Sequence, residues 1–513
     1  MTTSRDAAPV GAGRRRLAEL AVLGAGAALT LVFAYGLVRK PLPAVAALAL
    51  LALIAGVVLF RHEIAAVRLG PLVSGLVLLV PLAALVGSAA ALPAFPQLFA
   101  FRLLLIMIGV LGLLLLLRGH GRVSLARWRP ALPLVLWVAW LTFTIIWAPD
   151  KAAGLRYLLV LATMLAVVAA AASAGLSRHR LRAFGITMIV AYAFIVGVTV
   201  LEYATGLHLP NSRLVTVVTS QTYAVSSVFQ NQNDLATYLA ICWPFLLGAF
   251  FFTRRVRWLG LALVFAAFGA MAFVRTGSRS SLLAGALATL VVLLLHVRPG
   301  AWLQTRRARA LGALAAMVLL VGTAYLLFND SQSSMLRQFR LFGLTSDLAT
   351  NQGSGQIRTS LLDRGLSITG GSLLLGAGPG QVEGLVTTGA DAMGIGNLHN
   401  WWLEIYAEGG LPGFVLQLIF LVGLAGGLLR RVKTHGDPFV RYLASGAFAA
   451  LVGFTVGALG PSSSLSFAPM WTLFGLGLAV LALPADDTST AGAPPGAGAA
   501  PTGRASTDAE AGV

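Results

Sequence analysis

The stretch Leu103-Leu104-Leu105-Ile106-Met107-Ile108-Gly109-Val110-Leu111-Gly112-Leu113-Leu114-Leu115-Leu116-Leu117 is an unbroken apolar run with Arg102 before it and Arg118 after it. A helix needs roughly 17–25 such residues to cross a hydrocarbon core, and comparable runs recur along nearly the whole chain. We place them at 17–38, 41–60, 69–91, 100–117, 131–147, 155–175, 183–203, 235–252, 258–274, 281–297, 309–328, 411–429, 439–459 and 467–484. The chain is 58% hydrophobic and 11% charged, with a mean hydropathy of +0.84, which excludes a soluble globule. An all-α polytopic membrane protein with 14 transmembrane helices is predicted.

A net charge of +19 in a soluble chain would point to nucleic acid. Topology accounts for it here. With the N-terminus inside and the spans alternating, the inner segments hold 24 of the 37 basic residues against four acidic ones, Asp6, Glu19, Glu63 and Asp437. The outer segments are near balance, so the excess is the positive-inside bias. It predicts a multi-pass protein of the bacterial plasma (inner) membrane with both termini cytoplasmic and no nucleic-acid partner. The single cysteine, Cys242, lies in an apolar span and allows no intrachain disulfide.

The predicted organisation is a cytoplasmic N-terminus (1–16), eleven spans (17–328), an extracytoplasmic loop (329–410), three further spans (411–484) and a disordered cytoplasmic tail (485–513). The long loop breaks the rhythm of short connections, and long loops in compact proteins usually carry function. Within it, Ile357, Leu361, Leu362, Leu366 and Ile368 recur at roughly helical spacing among Arg358, Thr359, Asp363 and Arg364. This predicts an amphipathic helix at the outer interface.

Sorting by side leaves only His208 and His399 facing outward. His399 stands in Asn397-Leu398-His399-Asn400-Trp401-Trp402-Leu403-Glu404 at the mouth of a span. An imidazole there can act as a general base near neutrality; the bland alternative is an interfacial histidine beside an aromatic belt of Trp401 and Trp402. Arg275 and Arg279 crowd the outer turn Arg275-Thr276-Gly277-Ser278-Arg279-Ser280-Ser281, against the charge bias. With Ser278 or Ser280 capping the next helix, two guanidiniums at a helix N-terminus suit a phosphate-type anion; lipid-headgroup anchoring is the plain alternative. Arg213, Arg358 and Arg364 add positive charge on the same side. The Gly376-Ala377-Gly378-Pro379-Gly380 run lacks the context of a nucleotide-binding loop and reads as a tight turn letting backbone approach substrate or membrane. No metal-ligand pattern is visible on the outer side, and no cofactor is expected.

Four patches carry a family resemblance. They are Ser227-Val228-Phe229-Gln230-Asn231-Gln232-Asn233-Asp234-Leu235-Ala236, Thr276 to Ser281, Leu375 to Gly380, and His399 to Glu404 followed by Gly409 to Gly413. In this order they resemble the O-antigen ligase and O-antigen polymerase superfamily of bacterial membrane glycosyltransferases, in wording closest to its teichuronic-acid polymerase-like branch. The resemblance implies a GT-C-like helical fold. It also implies a polyprenyl-diphosphate-linked glycan donor, a glycan or lipid-glycan acceptor, and transfer at the outer face without metal or nucleotide sugar.

By the same resemblance His399 and Arg279 are the catalytic pair. Arg213, Arg275, Arg358, Arg364, Asn233, Asn400 and Glu404 are the substrate-binding candidates. Many members carry an arginine just before the Asn-rich patch. Here Tyr223 to Ser227 contains none, and Arg213 is the nearest substitute. The competing reading is a transporter or flippase of lipid-linked oligosaccharides, which would place its charged groups near the bilayer midplane.

Overall fold

The computed structural model describes residues 69–86, 91–92, 95–117, 128–215, 224–253, 255–296, 354–387, 397–460 and 465–483. By internal contacts the chain divides after Leu72, and the unit Val73–Val513 holds every element discussed below apart from the first residues of α1. The helices are α1 (Leu69–Val86), α2 (Ala100–Leu117), α3 (Leu132–Thr144), α4 (Lys151–Ser173), α5 (Arg178–Thr205), α6 (Gln232–Phe252), α7 (Val256–Thr276), α8 (Arg279–His296), α9 (Ser354–Gly371), α10 (Gln381–Thr387), α11 (Trp401–Thr434), α12 (Pro438–Gly457) and α13 (Ala468–Ala482).

Each predicted span among the described residues is a helix; those at 17–38, 41–60 and 309–328 lie outside them. Helices α4, α5, α6, α7, α11 and α12 are long and apolar enough to cross a membrane, and α1, α2, α8 and α13 are shorter apolar helices. Leu159, Ile189, Leu201, Val264, Leu294 and Val422 are exposed along their flanks. Such surfaces suit hydrocarbon as the solvent rather than water. The fold is not wholly helical: Ala91–Leu92 (β1) and Phe95–Phe99 (β2) pair as an antiparallel hairpin between α1 and α2. Ala91, the last residue of the span predicted at 69–91, is accordingly in a strand, and Pro96 within β2 lacks the N–H donor that a helix would use.

Helix α12 packs against α6, α8, α11 and α13, α4 against α13, and α11 against α3. Small residues set the closest approaches. A Cβ at Gly175 would fall 2.2 Å from the Ala479 carbonyl oxygen, and one at Gly475 would fall 2.5 Å from Ala171 Cβ. Such small-residue contacts let membrane helices gain dispersion energy where lipid offers no hydrophobic drive. Trp137, Trp471, Phe420 and Phe474 fill the space between α3, α11 and α13.

One end of this bundle gathers the turns predicted to be outer. There Gln381 Nε2 donates to the Asp150 carbonyl at 2.8 Å, Trp147 Nε1 to the Gly376 carbonyl at 3.0 Å, and the Trp401 N–H to the Ala458 carbonyl at 3.1 Å. The opposite end gathers the predicted inner turns. Arg178 pairs there with Asp437, and Arg431 donates to the Leu481 and Leu483 carbonyls.

Candidate functional site

Residues 397–404 form a rigid entry to α11. The Asn397 Oδ1 accepts the His399 N–H at 2.6 Å, and Asn400 caps the helix, its Oδ1 accepting the Trp402 and Leu403 N–H groups at 3.1 and 3.3 Å. Between the two amides His399 adopts φ 50°, the left-handed region. For a residue with a Cβ this conformation costs about 1–3 kcal/mol and persists where surroundings enforce it. The enforcement is visible on both sides. Leu398 is buried with Leu361, Val382, Leu403 and Ala407, and the Trp401 ring packs on Phe454 and Phe474. Trp401 is therefore a core residue and not part of an aromatic belt; Trp402 donates its indole N–H to the Thr455 carbonyl at 2.9 Å.

The C-terminal end of α12 joins this entry to two other patches. Ala458 receives the Trp401 N–H, while a Cβ on Gly460 would lie 2.8 Å from Ser280 Oγ. Ser281 Oγ is 3.3 Å from Thr237 Oγ1, which donates to the Asn233 carbonyl at 2.9 Å. Ser278 precedes α8: its carbonyl takes the Leu282 N–H at 3.1 Å, while its hydroxyl donates to Ser281 Oγ at 3.2 Å. The segments bearing Asn233, Arg279 and His399 thus converge around 457–460. Arg279 is the first residue of α8 and Arg358 lies in the first turns of α9. For both, the side chain lies outside the described residues.

Glu202, absent from the sequence-based candidates, organises the Asn-rich patch. It is 4% exposed near the end of α5, and its carboxylate accepts the Ser226 and Ser227 N–H groups at 3.0 and 2.6 Å and the Ser226 hydroxyl at 3.2 Å. His208 Nδ1 lies 2.7 Å from Glu202 Oε1. Ser227 takes up φ 54° under this clamp, and the Arg213 N–H donates to the Gln230 carbonyl at 2.9 Å. Arg213 is accordingly tied by its backbone to the turn that enters α6.

The glycine-rich turn makes a close approach to protein backbone. Helix α11 breaks at Gly410 (φ 63°, ψ −166°), and Pro412 denies the Glu408 carbonyl its usual partner four residues on. The stranded groups are satisfied from elsewhere, as buried backbone requires. Ala407 and Glu408 carbonyls accept the Ala377 and Gly378 N–H groups at 2.8 and 3.0 Å, and the Gly409 carbonyl accepts Trp140 Nε1 at 2.6 Å. The Leu411 N–H reaches the Leu374 carbonyl at 2.8 Å. Gly376, Gly378 and Gly380 all have positive φ. The Glu408 carboxylate, 2% exposed and also missed in the sequence, accepts the Gln381 and Val382 N–H groups at the start of α10, both at 3.2 Å. Glu404, one turn earlier, and Tyr157 of α4 interact electrostatically with it.

Among the remaining arginines, Arg275 donates to the Tyr203 hydroxyl at 2.6 Å with its guanidinium 4.2 Å from that ring's centroid. Arg364 donates to the Leu385 carbonyl at 3.0 Å, bracing α9 against α10. Helix α9 also departs from a single apolar face. Leu361, Gly365 and Thr369 are buried, Gly365 against Leu403, while Leu362 and Leu366 are exposed.

Residues 261–418 match the family described as O-Antigen ligase. The chain is also 25% identical over 398 residues to the Bacillus subtilis (strain 168) teichuronic acid biosynthesis protein TuaE, an alignment covering 75% of this chain and 79% of that protein. Over these stretches the chain is similar to the O-antigen ligase family and to a teichuronic acid biosynthesis protein. The matched stretch runs from within α7 to within α11, so it contains the turn at Arg279, the glycine-rich turn and the His399 entry.

Proposed function

We propose that this protein transfers a glycan from a polyprenyl-diphosphate-linked donor to an acceptor hydroxyl at the outer face of the membrane, as a polymerase or ligase, without a metal ion and with inversion. A diphosphate is a competent leaving group, and guanidinium groups on its oxygens stabilise the charge that grows as the glycosidic bond breaks. Arg279 holds that diphosphate, with Arg358 and Arg213 adding charge and with Asn233, Asn400 and Glu404 orienting the sugars. His399 accepts the proton of the attacking hydroxyl. One direct displacement inverts the anomeric carbon.

The observation that carries this reading is the convergence of the His399, Arg279 and Asn233 segments on the end of α12. A transporter would collect such groups midway along the helices; these stand at helix ends. The test is transfer from purified lipid-linked donor in detergent. General acid–base groups contribute about 10²–10⁴-fold in rate, so His399→Ala should lose about 3–5 kcal/mol of transition-state stabilisation while donor binding persists. Arg279→Lys keeps the charge but loses the planar fork and should retain partial activity, with Arg279→Ala nearly inactive. Normal turnover in His399→Ala sinks the assignment. The other outward histidine, His208, is not a neutral comparator, because it contacts Glu202.

A further inference from the structure

At the opposite end of the bundle, a crevice of about 760 Å³ opens between α5, α6, α7 and the start of α12. Its mouth is lined by Arg178, Arg182 and Arg255 with one acidic residue, Asp437, which is paired with Arg178. Arg182 and Arg255 are exposed there, as is Trp258, whose ring lies 5.5 Å from the Arg257 guanidinium. Tryptophan and arginine together mark a headgroup level. The crevice then runs inward along α5 from Arg178 to Tyr192, 14 residues or about 21 Å of helix.

Its walls are apolar towards an occupant. The two tyrosine hydroxyls along it are already engaged, Tyr192 donating to the Phe265 carbonyl at 3.2 Å and Tyr442 to the Phe245 carbonyl at 2.9 Å. A hydrocarbon leaflet is about 15 Å deep, half of a core of about 30 Å. The slot therefore has the depth of one acyl chain plus its headgroup, with net positive charge where a phosphate would lie. Along α12, from Pro438 to Gly457, about 29 Å separates this mouth from the site around 457–460.

We infer that this crevice binds an anionic phospholipid of the leaflet at the arginine-rich end, one acyl chain between α5, α6 and α7 and the phosphate on Arg182 and Arg255. This goes beyond the transfer reaction and uses none of its residues. Each arginine near a membrane surface contributes about a factor of five to anionic-lipid affinity, so removing two should cost about thirtyfold.

The test is native mass spectrometry of the full chain in detergent, titrated with phosphatidylglycerol and with phosphatidylcholine of the same chains. Wild type should retain one phosphatidylglycerol in preference to phosphatidylcholine. Arg182→Gln/Arg255→Gln should remove that preference. Gly185 lines the crevice, and a Cβ built there has nothing within 4 Å, so the ring of Gly185→Phe should occupy the slot and block both lipids. Equal retention of the two lipids by wild type, no retained lipid, or unchanged uptake by Gly185→Phe would each overturn the inference.

Discussion

Substituting Gly410 by alanine tests how the outer site is held together. An added Cβ would stand 2.3 Å from both the Leu374 carbonyl oxygen and the Leu375 carbonyl carbon, and 2.6 Å from the Gly376 nitrogen. These are backbone atoms, so no side chain can swing away. The Gly410 φ of 63° with ψ −166° lies in a region open essentially to glycine alone, which adds about 1–3 kcal/mol for any residue with a Cβ. Opening the gap forfeits the hydrogen bonds Ala377–Ala407, Gly378–Glu408 and Leu411–Leu374, each contributing about 0.5–1.5 kcal/mol net. The expected destabilisation is about 3–6 kcal/mol.

Gly413→Ala is the matched control on the same helix. Its Cβ would meet Trp140 Cδ1 at 3.4 Å, an ordinary contact. Thermal unfolding of purified protein in detergent, read by tryptophan fluorescence, should separate the two variants widely, and transfer activity should fall only for Gly410→Ala. Gly410→Ala melting with wild type, or both variants failing equally, would refute the account of the break.

Glu202→Gln should lower both thermal stability and transfer rate although this carboxylate is assigned no contact with substrate, because one acceptor oxygen for Ser226, Ser227 and His208 becomes a donor; unchanged activity would show that the Asn-rich patch holds itself. Asp437 is held below the usual carboxylate range by its hydrogen bond from Arg178, so its stabilisation is complete above the unfolded value of about 3.9 and disappears as pH falls through the folded value. Asp437→Asn keeps the helix cap and removes the charge, so its melting temperature should trail wild type at pH 7 and approach it in acid. A gap that is constant with pH would assign the loss to something other than the ion pair. Cysteines placed at exposed Ser367 and Thr434 should react with a membrane-impermeant reagent from opposite sides, and labelling of both from one side would remove the topology that the proposed reaction needs.

The spans were legible because bilayer crossing demands a long, contiguous signal that survives single-sequence reading. The prediction of a span from 411 even coincides with the helix resuming after the break at Gly410. The His399 entry was legible for a related reason: Asn397, His399 and Asn400 are polar residues at the edge of apolar sequence. What escaped was decided by partners far away in the chain. The glycine-rich turn takes its meaning from carbonyls stranded by Pro412, and the Gly376 carbonyl meets Trp147, 229 residues earlier. Glu202 looked like an ordinary acid near a helix end, and only its burial over Ser226 and Ser227 shows otherwise. Glu408 carried a faint local signal, four residues after Glu404 on the same helical face. In α9, spacing alone could not distinguish the side that meets Leu403 from the side left exposed.

The meeting of α11 with the end of α12 also sets an order of assembly. A chain emerging from N- to C-terminus can insert α3 and α4, then the glycine-rich turn, then α11, and by then Trp140 and Trp147 already have their partners. The Trp401 N–H still awaits the Ala458 carbonyl, and its ring awaits Phe454 on α12 and Phe474 on α13. The left-handed turn at His399 therefore has its Leu398 side packed by then and gains its Trp401 side only with α12 and α13. A nascent chain arrested after α11 would carry every residue of the proposed site while still lacking the contacts of Trp401 with Ala458, Phe454 and Phe474.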